Sequence, residues 1–371
     1  MPFADELISR RTAQTLTRAI RAAVPDADLT SLRAAARQID PLPLRGRADL
    51  LRDALLTDLP ADYAALARTI RTARDQAPHF TGWLIWPVTD AVATRAVQQG
   101  DPASFDDAMV LLASLTGRLS SEFAIRTLLR HDLDRALATV VGDWTGSADA
   151  DVRRLASEGT RPYLPWSVRV PEILARPGVT VPVLDALYGD ESEYVRRSVA
   201  NHLNDLSRDH PEIAVDTARR WLNNPEATSE RLVRHGLRTL VKRGHPGALE
   251  LLGFAPAVLD VDGPRLDSDT VPFGGSVRFS ASIRNAGDEP ARLAIDYIVH
   301  HHKANGGRTG KTFKLTTRTL APGERAEVSR EHSFRPITTR RYHPGPHAIS
   351  VQINGVESDR AEFELAAPDT P

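Results

Sequence analysis

With 371 residues and a mass of 40.6 kDa, the chain is longer than one hydrophobic core usually organises, which favours two domains over a single small module. Its 41% hydrophobic and 26% charged residues describe a soluble globular composition, and no apolar run has the length of a membrane span. Net charge is −1, from 47 basic and 48 acidic residues, so no global field favours nucleic acid; the absence of cysteine excludes disulfides, thiolate nucleophiles, iron–sulfur clusters and the common structural zinc sites.

At the amino terminus, Asp5 and Glu6 interrupt the apolar stretch Met1 to Ser9, against both a secretory signal and a transit peptide, and a cytoplasmic protein is expected. Up to about residue 253 the hydrophobic pattern reads as helices of about 10 to 16 residues. They are separated by breaks such as Asp40-Pro41-Leu42-Pro43, Gly100-Asp101-Pro102, Asp209-His210-Pro211 and Asn224-Pro225. Val152-Arg153-Arg154, Val195-Arg196-Arg197 and Val233-Arg234-His235 recur at the period of HEAT-type helical pairs, which predicts a stacked solenoid with a concave face. Beyond Pro256 the period falls to two. Seven strands are predicted, over 257–262, 276–285, 292–301, 311–317, 326–333, 347–354 and 360–365, a number that fits an immunoglobulin-like sandwich. The expected fold is therefore mainly α, a HEAT-like helical-repeat solenoid over 1–255, followed by an all-β immunoglobulin-like sandwich over 256–371.

Candidate chemistry-bearing residues begin at Glu122, which stands at i, i+4 and i+8 with Arg126 and Arg130, a spacing that ordinary intrahelical ion pairs explain. Ser157 to Trp166 breaks a helix and holds Glu158 and Trp166 eight residues apart on a proline-stiffened connection, a segment that either packs into the core or binds something. In the helix around Asp205, Val195, Val199, Leu203 and Leu206 form the apolar stripe. Ser198, Asn201, His202 and Asp205 share the flank beside it, which is either a solvated face or the lining of a groove. Arg231, Arg234, Arg238 and Lys242 line one helical face at a spacing that could follow phosphates along a strand, and equally suits a solvated face.

Charge is uneven along the chain. Between Lys303 and Arg341 ten basic residues oppose three acidic ones, a local surplus of seven that suits a polyanion. The chain holds only four lysines, Lys242, Lys303, Lys311 and Lys314, so the helical part before residue 242 has no side-chain amine for a Schiff base.

Several blocks together resemble one family. Residues 1–8 (MPFADELI), 83–90 (WLIWPVTD), 121–126 (SEFAIR), 156–166 (ASEGTRPYLPW) and 195–211 (VRRSVANHLNDLSRDHP) are similar to the AlkC-type bacterial DNA glycosylases. The block 300–315 (HHHKANGGRTGKTFKL) resembles the immunoglobulin-like domain of one branch of that family. The resemblance spans nearly the whole chain. It implies a monofunctional glycosylase, without metal or cofactor, that removes cationic alkylated bases from double-stranded DNA in base excision repair. The bases are chiefly 3-methyladenine, with 3-methylcytosine and 1-methyladenine as further substrates. It assigns Asp205 to stabilisation of the sugar cation and orientation of water. Glu158 and Glu122 become supporting carboxylates, and Trp166 an indole against the sugar or the charged base. On this reading the phosphate contacts are Arg154, Arg161, Arg197, His202, Arg234, Arg238 and Lys242, joined by Lys303, Arg308, Lys311 and Lys314 around the Gly306–Gly310 loop. A nucleoid-associated monomer, off the membrane, is expected. The rival readings are a non-catalytic helical-repeat scaffold and a sensor that binds damaged DNA without cutting the glycosidic bond.

Overall fold

A computed structural model describes residues 6–337 and 340–368, so Met1 to Asp5 of the first resembling block lie outside the described residues. The chain divides into two compact units, Met1–Gly236 and Leu237–Pro371.

The first unit is helical. Its leading half runs α1 Arg10–Ala23, α2 Thr30–Gln38, α3 Leu44–Asp58, α4 Tyr63–Gln76, α5 Ile85–Gln99 and α6 Pro102–Thr116. The remainder comprises α7 Ile125–His131, α8 Leu133–Thr139, a π-helical turn Val140–Trp144, α9 Ala150–Gly159, α10 Pro171–Ala175, α11 Val181–Leu187, α12 Glu193–Leu206, α13 Pro211–Asn223 and α14 Ser229–Gly236. Local chemistry explains where these helices begin and end. Asp101 caps α6 by accepting from Ser104 N at 2.8 Å, with Pro102 in the first turn. The preceding α5 stops at Gly100, whose φ of +75° is left-handed. Pro211 likewise opens α13, and Asn224 closes it. Several helices after residue 124 are shorter than the 10 to 16 residues expected: α7, α8 and α11 have seven residues each and α10 has five, while α9, α12 and α13 have 10, 14 and 13. The three repeated Val-Arg triplets fall in α9, α12 and α14, and α12 packs against both of the others.

The second unit starts with two short helices, α15 Arg238–Lys242 and α16 Pro246–Leu251, ahead of the strands. It therefore begins before the change of hydrophobic period at residue 256, because these helices are tied to the sheet. Gln352 Nε2 donates to Lys242 O at 3.3 Å, and Gly244 lies against Gly355 so closely that a Cβ there would stand 2.6 Å from the Gly355 Cα. The strands are β1 Leu259–Leu266, β2 Thr270–Val271, β3 Ser276–Asn285, β4 Ala291–His302, β5 Arg308–Leu320, β6 Arg325–Ser333, β7 Gly345–Ile353, β8 Val356–Glu357 and β9 Ala361–Leu365. One sheet has the order β1-β3-β6 and the other β2-β9-β7-β4-β5, with β8 beside β7. Alternation in β3 sends Val277, Phe279, Ala281 and Ile283 into a shared core with Leu293, Ile295, Tyr297, Val299, Ile349 and Val351. All seven predicted strands are present, and β2 and β8 are too short for a periodic signal.

Candidate active site

Three carboxylates from separate parts of the first unit meet through two arginines. Asp205 lies in the last turn of α12, Glu158 in the last turn of α9, and Glu122 in the turn before α7. Arg161 Nε donates to Asp205 Oδ2 at 2.9 Å, while its Nη1 donates to Glu158 Oε1 at 2.6 Å. Arg154 pairs with Glu122 and lies 3.6 Å from Glu158 Oε1. Ser198 Oγ, one turn before His202 on α12, donates to Glu158 Oε2 at 2.6 Å, Ser120 Oγ bonds Glu122, and Tyr163 N donates to Asp205 Oδ2 at 3.3 Å. Among the described residues both side-chain hydrogen bonds to Asp205 fall on Oδ2, which leaves Oδ1 for a further partner. The carboxylates are nearly enclosed, at 2% exposure for Asp205, 7% for Glu158 and 9% for Glu122. Two of them sit at helix C-termini, where the helix dipole disfavours negative charge. Their placement is sustained by Arg154 and Arg161, and the three anions still outnumber those two cations by one. A cavity of about 10 Å³, lined in part by Asp205, Pro162, Tyr163, Asp209 and His210, adjoins the site; it has room for about one water and none for a base.

The connection from α9 to α10 is fastened from below by Arg126. This arginine has no exposed surface, and its Nε and Nη1 donate to the carbonyl oxygens of Val168 (2.5 Å), Gly159 (3.0 Å) and Arg161 (2.8 Å). Burial, with Arg169 and Arg161 nearby, pushes its pKa down to about 10, so the side chain remains a cation at neutral pH. Trp166, on the same connection, is 54% exposed and adopts φ +58°, a left-handed conformation rare for a bulky residue. Its carbonyl accepts from Arg45 Nη1 at 3.1 Å, and its indole meets Trp83 edge-on at 6.3 Å. Behind Trp83, Trp86 stacks on Phe123 at 4.0 Å and donates from Nε1 to Asp90 Oδ2 at 3.0 Å. Burial raises the pKa of Asp90 to about 7. Tyr163 lies between two guanidinium groups, Arg169 at 4.7 Å and Arg208 at 5.0 Å, and its hydroxyl bonds Asp209.

Several sequence expectations are corrected here. Glu122 and Arg126 do not form an intrahelical ion pair: Glu122 precedes α7 and faces Arg154, and Arg126 takes only carbonyl partners among its hydrogen bonds. His202 is not placed to touch phosphate. It has no exposed surface; its Nδ1 donates to Ser157 O at 2.9 Å, which leaves Nε2 to accept from Thr180 Oγ1 at 2.9 Å. Burial holds its pKa down at about 3, so it is a neutral link from α12 to Ser157 of α9. Arg154 and Arg161 bridge carboxylates instead of lying on an open face. The row Arg231, Arg234, Arg238 and Lys242 does not occupy one helix, since α14 ends at Gly236 and buried Leu237 starts a new helix in the other unit. Arg197 and Arg231 are exposed and share Glu193 at 3.5 and 2.8 Å, beside Arg196 and His235 in a groove of about 410 Å³; Arg234 is exposed on the same helix as Arg231.

In the second unit Lys242, Lys303, Lys311 and Lys314 are exposed and Arg238 is half-buried. Lys303 N donates to Gly307 O at 2.9 Å in the turn joining β4 to β5, where Gly306 takes φ +79°. Arg308 is held by Glu362, its Nη1 donating to Oε1 at 2.8 Å. Sequence reasoning missed Arg126, Ser198 as a partner of Glu158, the Arg169–Tyr163–Arg208 stack, and Trp83 beneath Trp166. Arg126, Ser198, Trp83, Tyr163 and Arg208 stand in the quoted blocks, whereas Arg169 lies outside them. Among the described residues no group of three or more His, Asp or Glu side chains is arranged to hold a metal ion, and no helix is long and apolar enough to cross a membrane.

Comparison with known proteins agrees with this architecture. Residues 260–367 match the family model described as the C-terminal Ig-like domain of uncharacterised protein YhaZ. The uncharacterized protein YhaZ of Bacillus subtilis (strain 168) is 33% identical over 366 residues, which cover 98% of each chain. The Pseudomonas fluorescens alkylpurine DNA glycosylase AlkC, solved on DNA containing an abasic site analog, superposes with a TM-score of 0.84 at 33% identity, over 99% of this chain and all of that one. The chain thus belongs to the family of AlkC and YhaZ, helical-repeat proteins that carry a C-terminal immunoglobulin-like domain.

Proposed function

We propose that this protein is a monofunctional DNA glycosylase that excises cationic N-alkylated bases, chiefly 3-methyladenine, with 3-methylcytosine and 1-methyladenine as further substrates. The observation that carries the reading is the set of three carboxylates held by Arg154 and Arg161, on elements shared with exposed Trp166. An alkylated base with a fixed positive charge leaves as a neutral molecule, so no acid need protonate it. What remains is to stabilise positive charge growing on the deoxyribose and to place a water. Carboxylates serve oxocarbenium-like transition states in this way. Asp205, through Oδ1, stabilises C1′ and orients the water, and Glu158 and Glu122 maintain the negative field. The exposed face of Trp166 favours a cationic base by about 0.5 to 2 kcal/mol.

Two features shape the reaction. The small cavity beside Asp205 cannot take an extruded base, which supports approach to the lesion in bent DNA over insertion of the base into a pocket. Since Asp205 is 2% exposed, the reading requires local movement of the residues that cover Oδ1 before the sugar can reach it. No lysine precedes Lys242, so the product is an intact abasic site with no lyase step. The Arg197–Arg231 groove and the lysines around the β4–β5 turn would hold duplex phosphates, in keeping with AlkC having been solved on DNA.

The test is release of free 3-methyladenine from a methylated duplex by the purified protein in the presence of a chelator. The reading expects base release that leaves the strand uncut. A folded protein that releases no base would contradict it.

A further inference from the structure

We propose that Arg126 is a positioning residue for base excision: it fixes the α9–α10 connection so that Arg161 and Trp166 are presented together. The inference rests on the glycosylase reading and deepens it. A guanidinium with no exposed surface is costly to bury, and such groups are normally matched to a carboxylate. Among the described residues no carboxylate is bonded to Arg126. Its three hydrogen bonds all go to carbonyl oxygens of one segment, Gly159 and Arg161 at its start and Val168 at its end, and Nη2 has no hydrogen-bond partner among the described residues. A planar fork is the side chain that can collect carbonyls from both ends of a ten-residue span; an ammonium acts as a point charge.

The fastened span contains everything the site takes from this segment. The Arg161 carbonyl is bound by Arg126, while its side chain binds Asp205 and Glu158. Tyr163 contributes its backbone N–H to Asp205. Trp166 lies two residues before the Val168 carbonyl, in a left-handed conformation that is strained for a bulky residue and must be enforced by its surroundings. Arg45 bonds the Trp166 carbonyl itself, and Arg126 the Val168 carbonyl two residues on. Arg126 touches neither sugar nor base. Its contribution passes through the geometry of Arg161 and Trp166.

The experiment uses full-length Arg126→Lys and Arg126→Gln; the second removes the buried charge and so guards against a failure to fold caused by that charge alone. Folding is verified by circular dichroism. Single-turnover excision should fall by about 10- to 100-fold in both, because a shift of about 1 Å in positioning groups has that effect. Affinity for undamaged duplex should stay within about twofold, since the exposed phosphate-binding arginines are untouched. Chymotryptic cleavage after Tyr163 or Trp166, read by mass spectrometry, should accelerate in both variants. Folded variants with wild-type excision, or with wild-type cleavage of the connection, would overturn the proposal. If the wild-type protein itself releases no base, the glycosylase reading fails and the positioning role in excision fails with it. Cleavage then still decides, separately, whether Arg126 holds the connection.

Discussion

Gly159 shows how tightly single residues are fitted around the carboxylates. A Cβ at this position would stand 2.6 Å from Ile125 Cγ2, at the point where α9 delivers Glu158. Gly159→Ala should therefore destabilise the protein by about 1–3 kcal/mol, seen as a lower urea midpoint, and slow excision along with it. An unchanged midpoint would mean that Ile125 gives way freely. Ser198→Ala tests the neighbouring contact: Glu158 loses the hydroxyl that bonds Oε2 at 2.6 Å, a cost of about 1–3 kcal/mol for a buried acceptor left unpaired. At this scale the sequence was partly legible. Glu122, Glu158 and Asp205 do converge, and Trp166 is exposed. The burial of Arg161 and His202 and the half-burial of Arg154 were not legible, because a helical wheel orders side chains around one axis and says nothing of what covers them. Arg126 was hidden for a related reason: its partners are backbone carbonyls, which leave no mark in side-chain spacing.

The elements themselves were easier to read where their period was long and uninterrupted. Alternation gave all seven principal strands, and Pro, Gly and Asp punctuation located the ends of α5, α6 and α13. The row from Arg231 to Lys242 misled because its i, i+3, i+7 spacing continues across Gly236 and Leu237, where the helix stops. Burial also sets how one pair of strands responds to acid. His301 on β4 and His332 on β6 are enclosed by Tyr297, Phe334 and Tyr342, and His301 has no hydrogen-bond partner for either ring nitrogen among the described residues. Burial lowers the pKa of His301 to about 3 and of His332 to about 4. These folded values lie below the unfolded value of about 6.5, so the histidines oppose unfolding above that pH and lose this contribution as the pH falls toward 4 and 3. The melting temperature of the β-sheet unit should thus drop between pH 6.5 and 4, and His301→Phe should reduce the drop. Equal pH dependence in the wild type and the variant would count against this assignment.

For the molecule as a whole, the near-zero net charge conceals exposed cations: Arg197 and Arg231 in the helical unit, and Lys303, Lys311 and Lys314 in the sheet unit. If these hold duplex phosphates, the logarithm of affinity should fall linearly with the logarithm of salt concentration, by about 0.9 per contact. Replacing Arg197 and Arg231 together should flatten that slope by about two. An unchanged slope would move the phosphate contacts elsewhere.

In the proposed reaction a carboxylate, and not an acid, a metal or an amine, promotes departure of the charged base. Asp205→Asn measures it most directly, by single-turnover release of 3-methyladenine alongside affinity for the same lesion duplex. Binding should be retained and the rate reduced by about 100-fold or more. A variant that releases the base as fast as the wild type would contradict it.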